Sequence, residues 1–223
     1  MAQTYKDFEV IIIYDDNSLD DFDYVKNFEN LDKRIRVIKN NSNIGAGESR
    51  NKGIINSSGK YVAFLDCDDL WKSDKLEIQI NFMIENKLNF SSTSYEIIDH
   101  EDNYLGIRNT QNNLEYKDLI KSCDIGLSTV VLKKDLINEE CKFANLKTKE
   151  DYVLWLKLAR KNIKFHNLSK TLTQWRKLDN SLSSNTFQKI FDGYRVYRHH
   201  MNYSILRSLF YLFRLSINYL KKK

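Results

Sequence analysis

Residues 60–71 read KYVAFLDCDDLW, a short apolar run followed by three carboxylates within four residues. The run over residues 61–65 is rich in aromatic and branched side chains, which is typical of a buried strand. Asp66, Asp68 and Asp69 follow it directly. In an open α/β sheet, ligands bind just beyond the carboxyl ends of the strands, so this sequence is a candidate site.

Two interpretations fit this stretch equally well. The first is a site for Mg²⁺ or Mn²⁺ shared with a substrate phosphate, because hard cations prefer oxygen ligands. The second is a solvated turn, with Ser73 capping the helix that follows. Residues 9–14, EVIIIY, favour the first interpretation. They form a second continuous apolar run, typical of a strand covered on both faces, and they also end in acids, Asp15 and Asp16.

Length and composition indicate one globular domain. The chain has 223 residues, of which 42% are hydrophobic and 29% charged. Its three cysteines match no metal-binding spacing and no signal peptide is evident, so we expect reduced thiols in a cytoplasmic protein. Residues 187–223 carry a net charge of +7, which leaves −2 on the rest of a chain whose total is +5. A near-neutral body with a basic end argues against a nucleic-acid binder.

Residues 43–53, NIGAGESRNKG, form a glycine-rich stretch. The order strand, helix, strand before it predicts a parallel α/β sheet. Glycine lets a backbone approach another group closely, and the amides of a helix start point outward, so the stretch is a candidate phosphate cradle with Arg50 nearby. Its spacing is neither a Walker loop nor the dinucleotide fingerprint. Taken alone, it favours a helix entry with packing glycines.

Predicted helices and strands alternate along the rest of the chain. Helices are predicted over residues 73–87, 115–122 and 152–160, and strands over 90–98, 104–108, 127–132 and, as two short strands, 163–175. In the first of these helices, the apolar residues Leu76, Ile80, Met83 and Ile84 are predicted to face inward. Ser128 is a candidate for the wall of a ligand site.

Residues 148–151, TKED, begin the apolar helix over 152–160. Thr148 with an acid three residues on has the pattern of a capping box, and acids are favoured in a first helical turn. The functional interpretation makes Asp151 or Glu150 a general base at a helix N-terminus. One residue can serve both roles, so both interpretations stay open.

The C-terminal residues 187–223 form two basic helical stretches. In the second, apolar residues recur at helical spacing: Ile205, Leu206, Leu209, Phe210, Phe213, Ile217 and Leu220. Arg207, Arg214 and Lys221 recur every seven residues on another face. Arg207 and Arg214 interrupt any apolar run long enough to span a bilayer. The segment is predicted either to lie on an anionic membrane or to pack its apolar face on the body.

Taken in order, five stretches resemble the family 2 glycosyltransferases, which have a GT-A fold. They are residues 3–9 leading to 15–18, residues 43–53, residues 66–71, Glu150-Asp151 with Trp155, and Trp175-Arg176 with Ser181 and Ser183. No single stretch is specific, and the five together are. The resemblance implies an α/β fold with a Rossmann-type, mostly parallel sheet flanked by helices over residues 1–184. A basic amphipathic helical tail over residues 185–223 would follow it.

The resemblance implies transfer of a sugar from a nucleotide-sugar donor to a glycan or lipid-linked acceptor in cell-surface polysaccharide synthesis. Asp15 or Asp16 would hydrogen-bond the base or ribose edge of the donor, and Asp66 would hold the ribose hydroxyls. Asp68 would bind the Mn²⁺ or Mg²⁺ that bridges the diphosphate, where the metal stabilises charge on the leaving group.

The acceptor side follows from the same resemblance. Asp151 would take the proton of the acceptor hydroxyl as it attacks the anomeric carbon with inversion. Arg50 and Arg176 are weaker candidates for holding phosphate charge. The protein would be cytoplasmic, and peripheral on the inner face of the plasma membrane if residues 187–223 bind lipid.

The chain departs from the resemblance at its start. Family members begin with an apolar strand ending in Pro-x-Tyr-Asn and a helix, and nothing before residue 9 matches these. In a doubly wound sheet that strand lies in the middle, so we expect two open strand edges and a donor pocket short of one wall. We expect such a chain to be marginally soluble and inactive by itself.

Two rival functions are compatible with parts of the same sequence. The first is a non-catalytic remnant or accessory subunit that keeps the fold and binds a partner. The second is a metal-dependent phosphohydrolase or nucleotidyltransferase using Asp66 and Asp68, because phosphohydrolases with an Asp nucleophile place a second Asp two residues on. That chemistry leaves Glu150-Asp151 and Trp175-Arg176 unexplained.

Overall fold

Strands and helices alternate along most of the chain in the computed structural model, which describes residues 1–178 and 185–220. The strands are β1 (Val10–Tyr14), β2 (Ile35–Lys39), β3 (Tyr61–Ala63), β4 (Leu70–Trp71), β5 (Phe90–Ile98), β6 (Tyr104–Arg108), β7 (Val131–Lys133) and β8 (His166–Arg176). The helices are α1 (Phe22–Lys26), α2 (Phe28–Leu31), α3 (Ala46–Asn56), α4 (Lys75–Glu85), α5 (Tyr116–Leu119), α6 (Glu150–Arg160), α7 (Thr186–Arg195) and α8 (Ile205–Leu220). A π-helical turn, Val196–His200, joins α7 to α8. The predicted α/β class is confirmed.

The strands form two sheets. One is the parallel pair β1–β2, and the other hydrogen-bonds in the order β3-β7-β5-β8-β4 with β6 added on β5. The larger sheet is mixed, with β5 and β8 parallel and its other pairs antiparallel. Residues 163–175, predicted as two strands, contribute instead to the single strand β8. Its pairing with β5 continues through local register shifts, so the strand is not interrupted.

The hairpin between β5 and β6 is closed by side-chain hydrogen bonds. The Asp99 carboxylate accepts the backbone N–H groups of Glu101 and Asn103, each at 2.9 Å. Asp102 between them adopts a left-handed φ of 68°. Asp and Asn favour such turns because their short side chains hydrogen-bond nearby backbone. The turn forces antiparallel pairing and lies against the site described below.

The open edges of β1 and β3 face one large cavity of about 3930 Å³. Every residue of β1 and of β3 is only half-buried, although these apolar sequences predict full coverage. Ile84 on α4 also lines the cavity and is 56% exposed, so its predicted inward orientation is wrong. The two open edges expected from the sequence are therefore a feature of the described structure.

The main core lies around helix α6, whose residues Tyr152–Leu156 are completely buried. Trp155 packs edge-on against Phe90 of β5, with ring centroids 5.3 Å apart. The core continues into the C-terminal segment, where Tyr197 is fully buried and its hydroxyl lies 3.0 Å from that of Tyr152. The turn between α7 and α8 is thus part of the same core as the body. Ser181 and Ser183, which belong to the fifth stretch of the resemblance, and Lys221 of the tail lie outside the described residues.

Candidate active site

The acidic loop after β3 is held in place by Ser128. Its hydroxyl donates to the Asp69 carboxylate at 2.5 Å and accepts the backbone N–H of Asp66 at 3.1 Å. Its carbonyl accepts the indole N–H of Trp71 at 2.7 Å. These three hydrogen bonds to one residue fix the position of the loop. The acids of the loop differ in their burial. Asp69 is buried, while Asp66 and Asp68 are partly exposed.

Asp69 and Arg176 fasten this loop to the end of β8. The Asp69 carboxylate accepts the backbone N–H of Arg176 at 2.9 Å, and burial raises the pKa of Asp69 to about 6. The Arg176 side chain donates to the carbonyl of Asp68 at 2.9 Å and to that of Asp99 at 2.7 Å. It also pairs with the Asp102 carboxylate at 2.6 Å. Arg176 therefore contacts the loop and the β5–β6 hairpin together.

Arg50 on α3 joins two acids that are far apart in the sequence. Its guanidinium pairs with Asp66 at 2.7 Å and with Glu150 at the start of α6. The side chain is 18% exposed and lies over the ring of Phe143. A desolvated cation between two carboxylates is stable only with such partners. The pairing brings the loop after β3 and the beginning of α6 to one place.

Gly47 allows this approach of α3 to α6. A Cβ at Gly47 would lie 2.4 Å from the carbonyl oxygen of Ala144, in the loop before α6. No side chain fits at that distance, so the residue must be glycine. The glycine-rich stretch thus serves packing at this position, as the simpler of its two interpretations predicts.

The first half of the glycine-rich stretch is anchored by Asp15. Its carboxylate accepts the backbone N–H groups of Ile44 at 2.9 Å and Gly45 at 2.8 Å, and the side-chain amide of Asn40 at 2.7 Å. Burial opposes ionisation, but these hydrogen bonds outweigh it and lower the pKa of Asp15. Gly45 has a φ of 86°, which favours glycine. Asp16 beside it is exposed.

Asp151 lies in the first turn of α6. Its carboxylate accepts the backbone N–H of Tyr152 at 2.7 Å. Burial, followed by the negative charge of Glu150, raises the pKa of Asp151 to about 7. The positive charge of Arg50 acts in the opposite direction. A carboxylate with a pKa near neutrality is suited to accept a proton from a substrate hydroxyl.

The capping box predicted for α6 is wrong, because Thr148 binds elsewhere. Its backbone N–H and its hydroxyl donate to the Asp192 carboxylate of α7, at 3.0 and 3.1 Å. Lys149, with a left-handed φ of 64°, precedes the helix without a side-chain cap. Asp192 is fully buried and holds the loop before α6, a role that no local sequence pattern predicts. The sequence feature that could have drawn attention to Asp192 is that it is the one acid in the basic segment 187–223.

One cavity collects every predicted site residue. It is lined, among others, by Asp15, Asp16, Arg50, Asp66, Asp68, Asp151 and Arg176. Residues 1–178 and 185–220 contain no group of three His, Cys, Asp or Glu side chains that could hold a metal alone. Mg²⁺ commonly uses one or two carboxylates together with waters and substrate phosphates. Asp68, half-exposed in the cavity beside Asp66, fits a divalent cation that is shared with a diphosphate.

Comparison with known proteins identifies the family. Residues 1–137 match the family described as Glycosyl transferase family 2. The chain belongs to the family 2 glycosyltransferases. It is 31% identical to TuaG of Bacillus subtilis (strain 168), a glycosyltransferase assigned to teichuronic acid biosynthesis, over 100% of this chain and 88% of that protein. It is 36% identical to the UDP-Glc:alpha-D-GlcNAc-diphosphoundecaprenol beta-1,3-glucosyltransferase WfgD of Escherichia coli, over 85% of this chain and 74% of that protein.

Two solved structures have the same fold. S. aureus TarS in complex with UDP-GlcNAc superimposes with a TM-score of 0.72 at 19% identity, covering 95% of this chain and 64% of that one. The mannosyltransferase PcManGT from Pyrobaculum calidifontis, in complex with GDP-Man and Mn²⁺, gives a TM-score of 0.66 at 12% identity, covering 95% and 63%. The chain thus spans just under two thirds of these solved chains. The GT-A fold and the transferase class predicted for this glycosyltransferase are confirmed, and the phosphohydrolase alternative is discarded.

Proposed function

We propose that this glycosyltransferase moves a sugar from a nucleoside diphosphate sugar to a lipid-linked acceptor in cell-surface polysaccharide synthesis. The observation that carries the proposal is one cavity in which Asp68, the Asp66–Arg50–Glu150 cluster and Asp151 come together. WfgD, by its name, uses UDP-Glc and a GlcNAc-diphosphoundecaprenol acceptor, and TuaG is assigned to teichuronic acid synthesis. Such substrates need a site for a diphosphate and a base for an acceptor hydroxyl.

On the donor side, Asp68 is proposed to hold a Mn²⁺ or Mg²⁺ ion. Bound there, the cation would supply positive charge to the departing nucleoside diphosphate. Arg50 pairs with one oxygen of Asp66, and a ribose hydroxyl can use the other. Of the two acids after β1, Asp16 is better placed to meet the base or ribose. Both carboxylate oxygens of Asp15 already accept backbone amides.

On the acceptor side, Asp151 is proposed to be the catalytic base. The acceptor oxygen bonds to the anomeric carbon, the bond from that carbon to the diphosphate oxygen breaks with its electron pair, and the hydroxyl proton moves to the Asp151 carboxylate. Attack opposite the leaving group inverts the configuration. Arg50 offsets the charge of Glu150, so Asp151 stays ionised to a lower pH than it would beside an unpaired Glu150.

Both arginines of the site are proposed to act on the diphosphate through the loop they hold. Arg50 is engaged by two carboxylates, and Arg176 by two carbonyls and a carboxylate. They offset the negative charge of the acids around the diphosphate and fix the position of Asp68. The location proposed for the enzyme is the cytoplasmic face of the plasma membrane, where a lipid-linked acceptor is available. All three cysteines are unpaired thiols, which fits a reducing compartment.

The proposal is tested with purified protein, Mn²⁺, a panel of UDP-, GDP- and dTDP-sugars and a synthetic lipid-diphosphate acceptor. Release of nucleoside diphosphate reports turnover, and calorimetry reports metal-dependent binding. The Asp68→Asn variant should lose Mn²⁺-dependent binding of the nucleoside diphosphate and keep its circular dichroism spectrum. The control is Asp135→Asn, an exposed acid outside the cavity. Unchanged binding in the Asp68 variant would refute the metal assignment, and donor binding without turnover would favour an accessory subunit.

A further inference from the structure

Helices α7 and α8 each expose a row of large apolar side chains, which together we call the outer face. Five of them are between 54% and 87% exposed: Phe187, Phe191, Leu206, Phe210 and Phe213. On each helix these residues are spaced three, four or seven apart, so they share one side. Soluble monomers rarely expose contiguous apolar patches of this kind unless the patch binds something.

Helix α8 packs on the body with its opposite side. Ser208 and Leu215 are buried there, and Tyr211 and Leu212 are half-buried against the main core. Leu206, Phe210 and Phe213 of the apolar stripe predicted from the sequence therefore point away from the body. The tail does pack on the body, as the second interpretation predicts, but through a different side of α8.

Cations flank the apolar stripe of α8. Arg207 and Arg214 are seven residues apart, and at 3.6 residues per turn both lie roughly 80–100° around the helix from Leu206. Arg207 stacks on Tyr203 with its guanidinium 3.9 Å from the ring centroid, which holds it at the edge of the surface. Asp192, the one acid of residues 187–220, is buried and paired with Arg195. The charge at this surface is therefore positive.

We propose that the outer face of α7 and α8 docks on an anionic lipid bilayer. The phenylalanine and leucine side chains would enter the boundary between headgroups and acyl chains, and Arg207 and Arg214 would meet lipid phosphates. Residues 1–178 and 185–220 contain no helix long and apolar enough to cross a membrane, so α8 would lie in the plane of the surface. A second copy of the chain is a less suitable partner, because two-fold pairing of this face with the two α8 helices antiparallel would place the arginine edges of both copies side by side.

The inner sides of the same helices reach the proposed active site. Ile190, Leu212 and Tyr219 line the cavity that contains Asp151. Asp192 binds the backbone of Thr148 just before α6. A bilayer on the outer face would therefore lie next to the cavity in which a lipid-linked acceptor would react. The docking surface itself does not rest on the proposed function.

The test measures binding of the full chain to phosphatidylcholine vesicles with and without phosphatidylglycerol. The charge variant Arg207→Gln/Arg214→Gln should weaken binding to the anionic vesicles about 10- to 30-fold, and added salt should weaken binding of the unmodified protein. The apolar variant Leu206→Gln/Phe213→Gln should weaken it about 100-fold. The controls are Lys164→Gln/Lys170→Gln and Ile55→Gln, exposed residues on other surfaces. They should bind as the unmodified protein does.

All substituted side chains are exposed, so the thermal midpoint should stay unchanged in each variant and serves as the folding check. No binding of the unmodified protein to anionic vesicles, or equal binding by all variants, would overturn the proposal. Light scattering tests the competing explanation, in which a second copy of the chain covers this surface. A dimer that the apolar variant abolishes, without vesicle binding, would assign the surface to a second copy of the chain.

Discussion

Replacing the proposed base, Asp151→Asn, separates catalysis from folding. Asn keeps the side-chain oxygen that accepts the backbone N–H of Tyr152, so α6 should begin as before. It cannot take a proton from the acceptor, and loss of a general base typically costs 10²–10⁴ in rate. That loss corresponds to about 2.7–5.4 kcal/mol of barrier. Affinity for the nucleoside diphosphate should change little, since Asp151 is placed on the acceptor side.

Stability provides the second readout of this variant. Because the pKa of Asp151 is raised to about 7 from 3.8, its carboxylate destabilises the fold as pH rises through that window. The cost is at most about 4 kcal/mol at neutral pH, at about 1.4 kcal/mol per pKa unit. Asp151→Asn should therefore unfold at higher urea concentration than the unmodified protein at neutral pH. This gain should vanish near pH 3.8.

The assay is the pH dependence of kcat/KM for nucleoside diphosphate release. If the unmodified protein turns over despite its open strand edges, its activity should increase as pH rises through about 7, where Asp151 loses its proton. The matched control is Glu150→Gln, which should remain active at about pH 8. In this variant the rise of kcat/KM with pH should occur at lower pH, because the negative charge of Glu150 no longer raises the pKa of Asp151. Near-normal turnover by Asp151→Asn, or the same loss in both variants, would refute the assignment.

Three further predictions concern the framework around the site. Arg50→Met should lower the free energy of unfolding by about 3–5 kcal/mol in urea titrations, because Asp66 and Glu150 lose their shared cation. A change below about 1 kcal/mol would mean that these ion pairs contribute no more than exposed surface salt bridges do. Lys75 is fully buried, and burial lowers its pKa from 10.5 to about 7. Between these two pH values the unfolded chain binds more protons than the folded protein, so the free energy of unfolding should increase as pH rises from 7 to 10.5. Lys75→Met should remove that rise, and an identical slope in both proteins would contradict the burial argument. In hydrogen exchange, the amides of Ile11 and Ile13 should exchange faster than that of Val10, which donates to the carbonyl of Arg34 just before β2, because alternate amides of β1 face the open edge. Equal protection of the three amides would mean that the edge is covered.

The amino-acid sequence alone is enough to predict the fold class and the family, and it nominates the residues now proposed for the site. Apolar runs that end in acids predict strands with a ligand edge, because residues at consecutive strand ends meet in an α/β sheet. Asp15, Asp66 and Asp68 follow this rule, and all three line the cavity. Asp151 stands out in the sequence because it lies where a helix is predicted to begin. The start of a helix also depends only on neighbouring residues. Local pattern was sufficient wherever the role of a residue depends on its own strand or helix.

Which charged side chains become partners depends on how distant parts of the chain pack together. Arg50 and Glu150 are a hundred residues apart and become partners only because α3 and α6 approach at Gly47. The role of Asp192 depends in the same way on α7 reaching the loop before α6. No local periodicity records such pairings, since each partner is an ordinary polar residue within its own helix.

The tertiary structure also decided which surfaces are covered. Helix α8 carries apolar residues on two sides, and periodicity alone does not say which of them meets the body. The shape of the core around Tyr197 selected the side with Ser208 and Leu215, and left Phe210 and its neighbours exposed. The apolar sequence of β1 likewise predicts burial, while its actual exposure depends on whether another strand lies at its edge. Whether a residue is buried depends on which parts of the chain pack against it in space. The sequence specifies only that the residue is apolar.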